Sequence, residues 1–446
     1  MTRLLGVQIA DGFSYEARAF ALLLRYAAAA AASGGAPPFT ARVLCQGGRS
    51  SEGVDLARRF PADASKLLGR PSGASGELEW GRGAADPALR FAEEATGETV
   101  GVAVVALDFG WRPAAGPRQQ SDRVRARLRF VSALPRALEM GREAAPDVVY
   151  SGQGAWDVYA ATYLARRLRL PQVLHLRRGG PSLTRRPLAG RLRTAALVLA
   201  ESEEVAEAAL RAGAPAGRVS VLPGPVEVRD LPTGADREER RRSVRSSVNI
   251  PESAPLVAGL SAAGTGAPNP GAIEAFARVG RGGDGGRNAP HLLVLGAGVE
   301  ETEAVEDEAR RLGVADRVRH APTPGGHAAV LPAADVALDL SAGRGGAYGP
   351  ALCAAGASAV PVVTAAPGAA AFVEDGVTGL VAPAGDVEGM ADRLARLLAA
   401  PEQAATLGAA ARRRVAGRYA PEGSGREFAR LLGDALAAVA AAQGNR

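Results

Sequence analysis

Short apolar runs alternate with longer stretches of helical spacing along most of the chain. In the first half the runs that read as strands are Leu4–Ala10, Ala41–Cys45, Val100–Leu107, Asp147–Tyr150, Gln172–Leu176, Ala196–Ala200 and Val219–Leu222. Helical spacing fills 14–32, 123–142, 155–168 and 203–212. The second half repeats the pattern more cleanly. Its strands are Leu256–Leu260, His291–Leu295, Val318–His320, Val336–Leu340, Val360–Thr364 and Gly379–Val381. Its helices are 271–279, 300–312, 350–358, 387–399 and 402–416, and a last helix follows at about 424–441. Strands alternating with helices predict parallel sheets covered by helices on both faces. Residues 47–98 and 110–122 are rich in Gly, Pro and charge and show neither period.

Between the halves, 228–250 is rich in Arg and Glu and has no apolar period, so it reads as a linker with a helical piece. The expected organisation is a first domain over 1–227, the linker over 228–250, a second domain over 251–420, and a C-terminal helix over 421–446 that packs back on the first domain. The fold class is α/β: two doubly wound, Rossmann-like domains in tandem. In such sheets ligands bind beyond the carboxyl ends of the strands. A cleft between two facing domains is then the expected site.

The composition fits a folded protein: 47% of the 446 residues are apolar and 22% charged. The net charge of +6 invites a nucleic-acid reading. Against it, Lys66 is the only lysine, arginine is spread over the whole chain, and aromatic residues are 4%, too few for a base-stacking platform. Arg240-Arg241-Arg242 follows Glu238-Glu239 and reads as a solvated helix face rather than a phosphate grip. Cys45 and Cys353 lie in different halves and suggest neither a disulfide framework nor a zinc site. No signal peptide or spanning segment is visible, so the expected location is cytoplasmic, with contact to the inner face of a membrane left open.

Several ordered segments resemble one family. Leu292-Leu293-Val294-Leu295-Gly296-Ala297-Gly298 is a strand followed by a glycine turn. Leu312-Gly313-Val314 leads into Arg317-Val318, and Ala333-Ala334-Asp335-Val336 is followed by Ser341. Then come Val360-Pro361-Val362-Val363 and Glu374-Asp375-Gly376-Val377-Thr378-Gly379-Leu380-Val381. In the first half, Pro146-Asp147-Val148-Val149, the strand through His175 to Arg177, Glu201-Ser202 and Val219–Glu227 follow the same order. Together they resemble the GT-B glycosyltransferases of the family-four, group 1 kind. Asp11-Gly12-Phe13-Ser14-Tyr15-Glu16 stands where that family has a Gly-rich acceptor loop.

The resemblance implies transfer of a sugar from a nucleoside diphosphate with retention. It requires positive charge against the leaving diphosphate and groups that hold the sugar and ribose hydroxyls. The family supplies an Arg and a Lys after the first donor-domain strand, and two glutamates eight positions apart. Here Gly259-Leu260 replaces Gly-Arg and the Lys position falls on Ala267. No Arg or Lys occurs between Arg245 and Arg278. The glutamate positions fall on Gly346 (or Arg344, counting from Ser341) and Ala354, and a third acid on Ala371. No Asp or Glu occurs from Leu340 to Val373. Losing one charged phosphate contact typically costs about 3–4 kcal/mol, a hundred- to thousandfold in rate.

What remains is a set of glycine loops and helix N-termini. Gly259, Gly264, Gly266 and Gly296, with Arg344, Gly345, Gly346, Tyr348 and Gly349, form the candidate donor and phosphate site. Pro350 suits the first turn of a helix whose free N–H groups face an anion. Asn269-Pro270 caps another helix. Arg177 is the catalytic candidate, and Gly12, Glu16 and His175 are the acceptor-side candidates. Each has a bland alternative: glycines that close turns, a surface arginine, a packed histidine, a carboxylate on a helix face. The expected ligand is a nucleoside-diphosphate sugar, with a glycan, lipid or small molecule as acceptor; no other cofactor and no metal is called for, and there is no Asp-x-Asp. Three functions remain open. They are an active transferase with a rebuilt donor site, a non-catalytic partner or scaffold of another transferase, and, least favoured, a polyanion binder.

Overall fold

A computed structural model describes residues 2–8, 23, 27, 39–46, 90–92, 99–107, 120–152, 154–177, 183, 188–226, 234–261, 269–279, 289–295, 299–320, 330–341, 349–366 and 369–444. The chain divides into two compact units, Met1–Pro225 with Pro421–Arg446, and Val226–Ala420.

The first unit holds an eight-stranded sheet. Its strands are β1 (Thr2–Gln8), β2 (Phe39–Gln46), β3 (Arg90–Ala92), β4 (Thr99–Leu107), β5 (Val148–Ser151), β6 (Gln172–Leu176), β7 (Leu197–Ala200) and β8 (Val219–Val221). The order is β3-β4-β2-β1-β5-β6-β7-β8. The β3–β4 pair is antiparallel, and the remaining neighbours run parallel. The short β3 lies in the stretch whose sequence shows no period. Helices α1 (Gln120–Ala144), α2 (Ala155–Leu168), α3 (Leu188–Leu192) and α4 (Glu203–Arg211) are the described helices before residue 226. Ser202 caps α4 by accepting from the Val205 N–H at 3.3 Å, and Glu203 and Glu204 sit in the first turn, where the helix dipole favours them.

The second unit opens with α5 (Gly234–Ser247). It continues through β9 (Leu256–Leu260), α6 (Pro270–Val279), β10 (His291–Leu295), α7 (Val299–Arg311), β11 (Val318–His320) and β12 (Val336–Asp339). After these come α8 (Gly349–Ala357), β13 (Val362–Thr364), β14 (Gly379–Val381), α9 (Val387–Ala399) and α10 (Pro401–Arg418). The sheet is wholly parallel in the order β11-β10-β9-β12-β13-β14. Its strands are apolar on both faces, as a sheet covered on both sides requires. Val257, Leu292 and Val294 enter one core with α6, α7 and α9. Leu256, Ala258, Leu260, Leu293 and Leu295 enter the other. Both sheets reverse strand order beside their first strand, the doubly wound pattern.

The segment read as a linker departs from that expectation. Residues 234–247 form α5, and its docking face is built from arginines four residues apart. Arg237 donates to the Pro332 carbonyl at 3.1 Å. Arg241 meets Asp335 at 2.6 Å, and Arg245 meets the other oxygen of Asp335 at 3.0 Å. Arg245 is 1% exposed and also donates to the carbonyls of Pro251 and Ala254. Guanidinium groups share this face with Val244, which packs against the core. Arg240 and Arg242 face solvent, but Arg241, read with them as part of a solvated face, is held on Asp335.

The last helix, α11 (Pro421–Gly444), belongs to the first unit. Phe428 meets the Tyr150 ring edge-on at 6.0 Å between centroids, and the Ser424 hydroxyl reaches the Pro223 carbonyl at 3.5 Å.

Candidate functional site

In the second unit β9, β10 and β12 lie side by side, so the segments that leave their carboxyl ends start from one edge of the sheet. Asn269 precedes α6 and accepts from the Gly271 N–H at 3.0 Å, the cap expected of Asn-Pro. Its own N–H donates to the Leu340 carbonyl at 2.8 Å, which ties the start of α6 to the end of β12. Gly349 is the first residue of α8. Gly259 sits inside β9, paired with Val294 and Leu338. A Cβ there would fall 2.8 Å from Leu340 Cδ1 and 3.1 Å from Leu292 Cδ1. The missing side chain makes room for neighbouring leucines, so Gly259 serves packing where a phosphate approach was expected.

The acid nearest this edge is Asp339, at the end of β12, and it is 1% exposed. One oxygen accepts from the Ser341 N–H at 2.9 Å and the other from the Thr364 hydroxyl at 2.8 Å. Burial pushes its pKa up, against the hydrogen bonds from Ser341 and Thr364. Asp339 therefore fastens β12 to β13 and faces inward. Sequence reasoning passed over it; the signal was an acid ending an otherwise apolar strand.

The "EDGVTGLV" segment is a self-bonded turn. The Glu374 N–H donates to the Thr378 hydroxyl at 2.8 Å, the Val381 N–H to Asp375 at 2.8 Å, and the Gly376 N–H to the Gly379 carbonyl at 2.9 Å. Glu374 also pairs with Arg414 at 3.0 Å. A Cβ on Gly379 would collide with the backbone carbonyl of Val362, so the strand pairing requires glycine. The Asp375 carboxylate builds the turn, and the Glu374 carboxylate ties it to α10.

In the first unit, β6 and β7 are parallel neighbours whose ends, Leu176 and Ala200, pair directly. The next residues, Arg177 and Glu201, are thereby brought together. Their guanidinium and carboxylate are 3.8 Å apart, and each side chain is 5% exposed. The sequence marked Arg177 but gave Glu201 no charge role. His175 is fully buried, with Nδ1 2.8 Å from the Tyr150 hydroxyl. Burial first, and the Arg177 charge second, drive its pKa well below the usual histidine value. The ring is neutral and packed, which is the bland alternative and not an open acceptor contact.

Of the other candidates, Gly12, Glu16, Gly264, Gly266, Gly296, Arg344, Gly345, Gly346 and Tyr348 lie outside the described residues. Among the described residues no cluster of three His, Cys, Asp or Glu could hold a metal ion, and no helix is long and apolar enough to cross a membrane.

Comparisons with known proteins follow the same division. Residues 272–400 match the family model described as glycosyl transferases group 1, and residues 82–230 match glycosyltransferase family 4. No curated protein matches the sequence. Among solved structures, HepE of Anabaena in complex with UDP and glucose superposes with a TM-score of 0.68 at 15% identity, covering 97% of this chain and 100% of that one. Sucrose-phosphate synthase of Thermosynechococcus elongatus gives 0.67 at 17%, covering 98% and 100%. A glycosyltransferase of Rickettsia africae gives 0.63 at 13%, covering 98% of each. At such identities the likeness is one of fold. By that fold and by its two family segments, the chain is of the GT-B glycosyltransferase type, family four.

Proposed function

We propose that the protein binds a nucleoside-diphosphate sugar at the carboxyl edge of β9, β10 and β12 and transfers the sugar, with retention, to a glycan, lipid or small-molecule acceptor. The observation that carries this reading is the retained donor-domain frame. The Asn269 cap and the inward Asp339–Thr364 fastening are in place at that edge, and the "EDGVTGLV" turn leads into β14 of the same sheet. The UDP and glucose complex of HepE, on the same fold, supports a uridine-type donor. Charge against the leaving diphosphate comes from Arg344 and from the N–H groups at the start of α8. Arg177 contributes by holding its strand end through Glu201, as a positioning group. With the family's Arg, Lys and glutamates replaced, turnover is slow.

A second reading, a non-catalytic partner of another transferase, is favoured by one observation. No cation occurs from 246 to 277 and no acid from 340 to 373, and the adjacent Asp339 is buried. Calorimetric titration with nucleoside diphosphates and their sugars, together with a hydrolysis assay, separates the two. The transfer reading expects saturable binding of one donor, weakened by about a hundredfold in Arg344→Ala, and slow sugar release. Silence at millimolar concentration across all donors sinks it. Binding without any release or transfer moves the protein to the second reading.

A further inference from the structure

The segment that leaves the carboxyl end of β13 carries no polar side chain. From Ala365 to Val373 it reads Ala-Ala-Pro-Gly-Ala-Ala-Ala-Phe-Val, and Ala371 stands where the resemblance expects an acid. What such a segment offers a ligand beyond the carboxyl edge, it offers through its backbone. Its placement therefore decides its chemistry, and it has no side-chain hydrogen bond of its own to fix that placement. Two hydroxyls from outside do so. At its start, the Thr364 hydroxyl accepts from the Ala366 N–H at 3.1 Å while donating to the buried Asp339 at 2.8 Å. Further on, Ala369–Ala371 make one turn of 3-10 helix, and the Ala371 carbonyl accepts from the Tyr419 hydroxyl at 3.2 Å.

Tyr419 comes from the far end of the unit, one residue past α10, and is 2% exposed. A buried phenol needs a hydrogen-bond partner, and the carbonyl 48 residues earlier supplies it. The Tyr419 ring also stacks on Phe372, with 6.0 Å between centroids and 25° between planes. Its backbone is fixed on both sides. The N–H donates to the Val415 carbonyl and the carbonyl accepts from the Val226 N–H, each at 2.9 Å. Val226 is the first residue of the second unit and Ala420 its last, so the Val226 bond joins the points where the chain enters and leaves that unit. We propose that Tyr419 is a positioning residue for the donor: its hydroxyl and ring hold the Ala369–Val373 backbone at the carboxyl edge, where main-chain groups meet the diphosphate or the sugar. This rests on the reading that a nucleoside-diphosphate sugar binds at that edge. Packing alone asks only for a phenylalanine at 419; the hydroxyl adds a fixed point on a segment that has none of its own.

The test is calorimetric titration of the full chain with UDP, together with hydrogen exchange of the Ala369–Val373 amides, in the wild type and in Tyr419→Phe. The variant keeps the ring and its stack, so it folds, which a thermal melt checks. Loss of one hydrogen bond should weaken UDP about fivefold and speed exchange in the segment by a similar factor. Ser202→Ala, which costs comparable stability in the other unit, should leave UDP affinity within about twofold. Unchanged UDP affinity in Tyr419→Phe overturns the proposal and leaves the tyrosine a packing residue. So does unchanged exchange in the segment, which would show that the hydroxyl does not hold it. Equal weakening in Ser202→Ala overturns it as well, because the effect would then follow stability alone. Silence of the wild type toward UDP and every other nucleoside diphosphate is a different failure: it removes the donor reading, and this proposal with it.

Discussion

In each unit an aspartate just ahead of a strand accepts a hydrogen bond from an N–H at the start of the unit's first strand. Asp147 takes the Arg3 N–H at 2.8 Å, and Asp335 takes the Leu256 N–H at 2.7 Å. Each aspartate also holds arginine. Arg3 stands half-exposed beside Asp147, whereas Arg245 is buried beside Asp335. At the amino edges, then, the two sheets are fastened by the same device. At the carboxyl edges they part. The first unit encloses an ion pair and a histidine there. The second encloses one inward acid, and no arginine or lysine occurs in its sequence from 246 to 277. The two units thus share the fastening of their frames and differ in the charges their carboxyl edges hold. A motif aspartate in this fold can therefore be read as structural before it is read as chemical.

The sharpest way to break the comparison is at the Arg177–Glu201 pair. Glu201→Ala leaves a guanidinium buried without its carboxylate, and we expect about 4 kcal/mol of lost stability in urea unfolding. Arg177→Met with Glu201→Leu should recover most of it, because an apolar pair of similar volume avoids the desolvation cost. No recovery in the double variant would mean that the pair does more than neutralise itself.

The next effect belongs to the second unit. Asp335→Ala should cost about 3 kcal/mol, somewhat less because the carboxylate is partly exposed. The transition should lose cooperativity as α5 detaches, which the helical circular-dichroism signal follows.

The third concerns pH. Folded His175 resists protonation, while in the unfolded chain it takes a proton near pH 6.5. Stability is therefore full above about pH 6.5 and falls as the pH drops below it, by up to about 1.4 kcal/mol per unit for this group. His175→Gln, which keeps a partner for Tyr150, should flatten that part of the slope of unfolding free energy against pH. An unchanged slope would show that the ring is not held neutral. The smallest effect is Ser202→Ala, which removes one cap and should lower stability by about 1 kcal/mol.

These features were unequally legible in the sequence. The strands of the second unit were readable because both their faces are apolar; Leu256–Leu260 and His291–Leu295 are continuous apolar runs apart from Gly259 and His291. Helix α5 was not readable as a docked element, because its buried position is Arg245, beside a half-buried Arg241, and the partner Asp335 is ninety residues on. The Arg177–Glu201 pair was invisible for a related reason. Nothing local joins the two residues, and only the parallel register of β6 on β7 sets them side by side. The buried state of His175 was half visible, since it sits within an apolar strand, but its Tyr150 partner comes from the neighbouring strand. Gly259 shows the opposite error: a glycine near a loop invites a ligand, and leucines fill its space.

Helix α11 completes the first unit although the whole second unit is written before it in the chain. On the ribosome, residues 226–420 emerge as one continuous stretch and can finish folding while the first sheet still waits for its last layer. Until Phe428 arrives, the Tyr150 ring lacks one of its edge-on neighbours and keeps the buried His175. The unit begun first is thus the unit finished last.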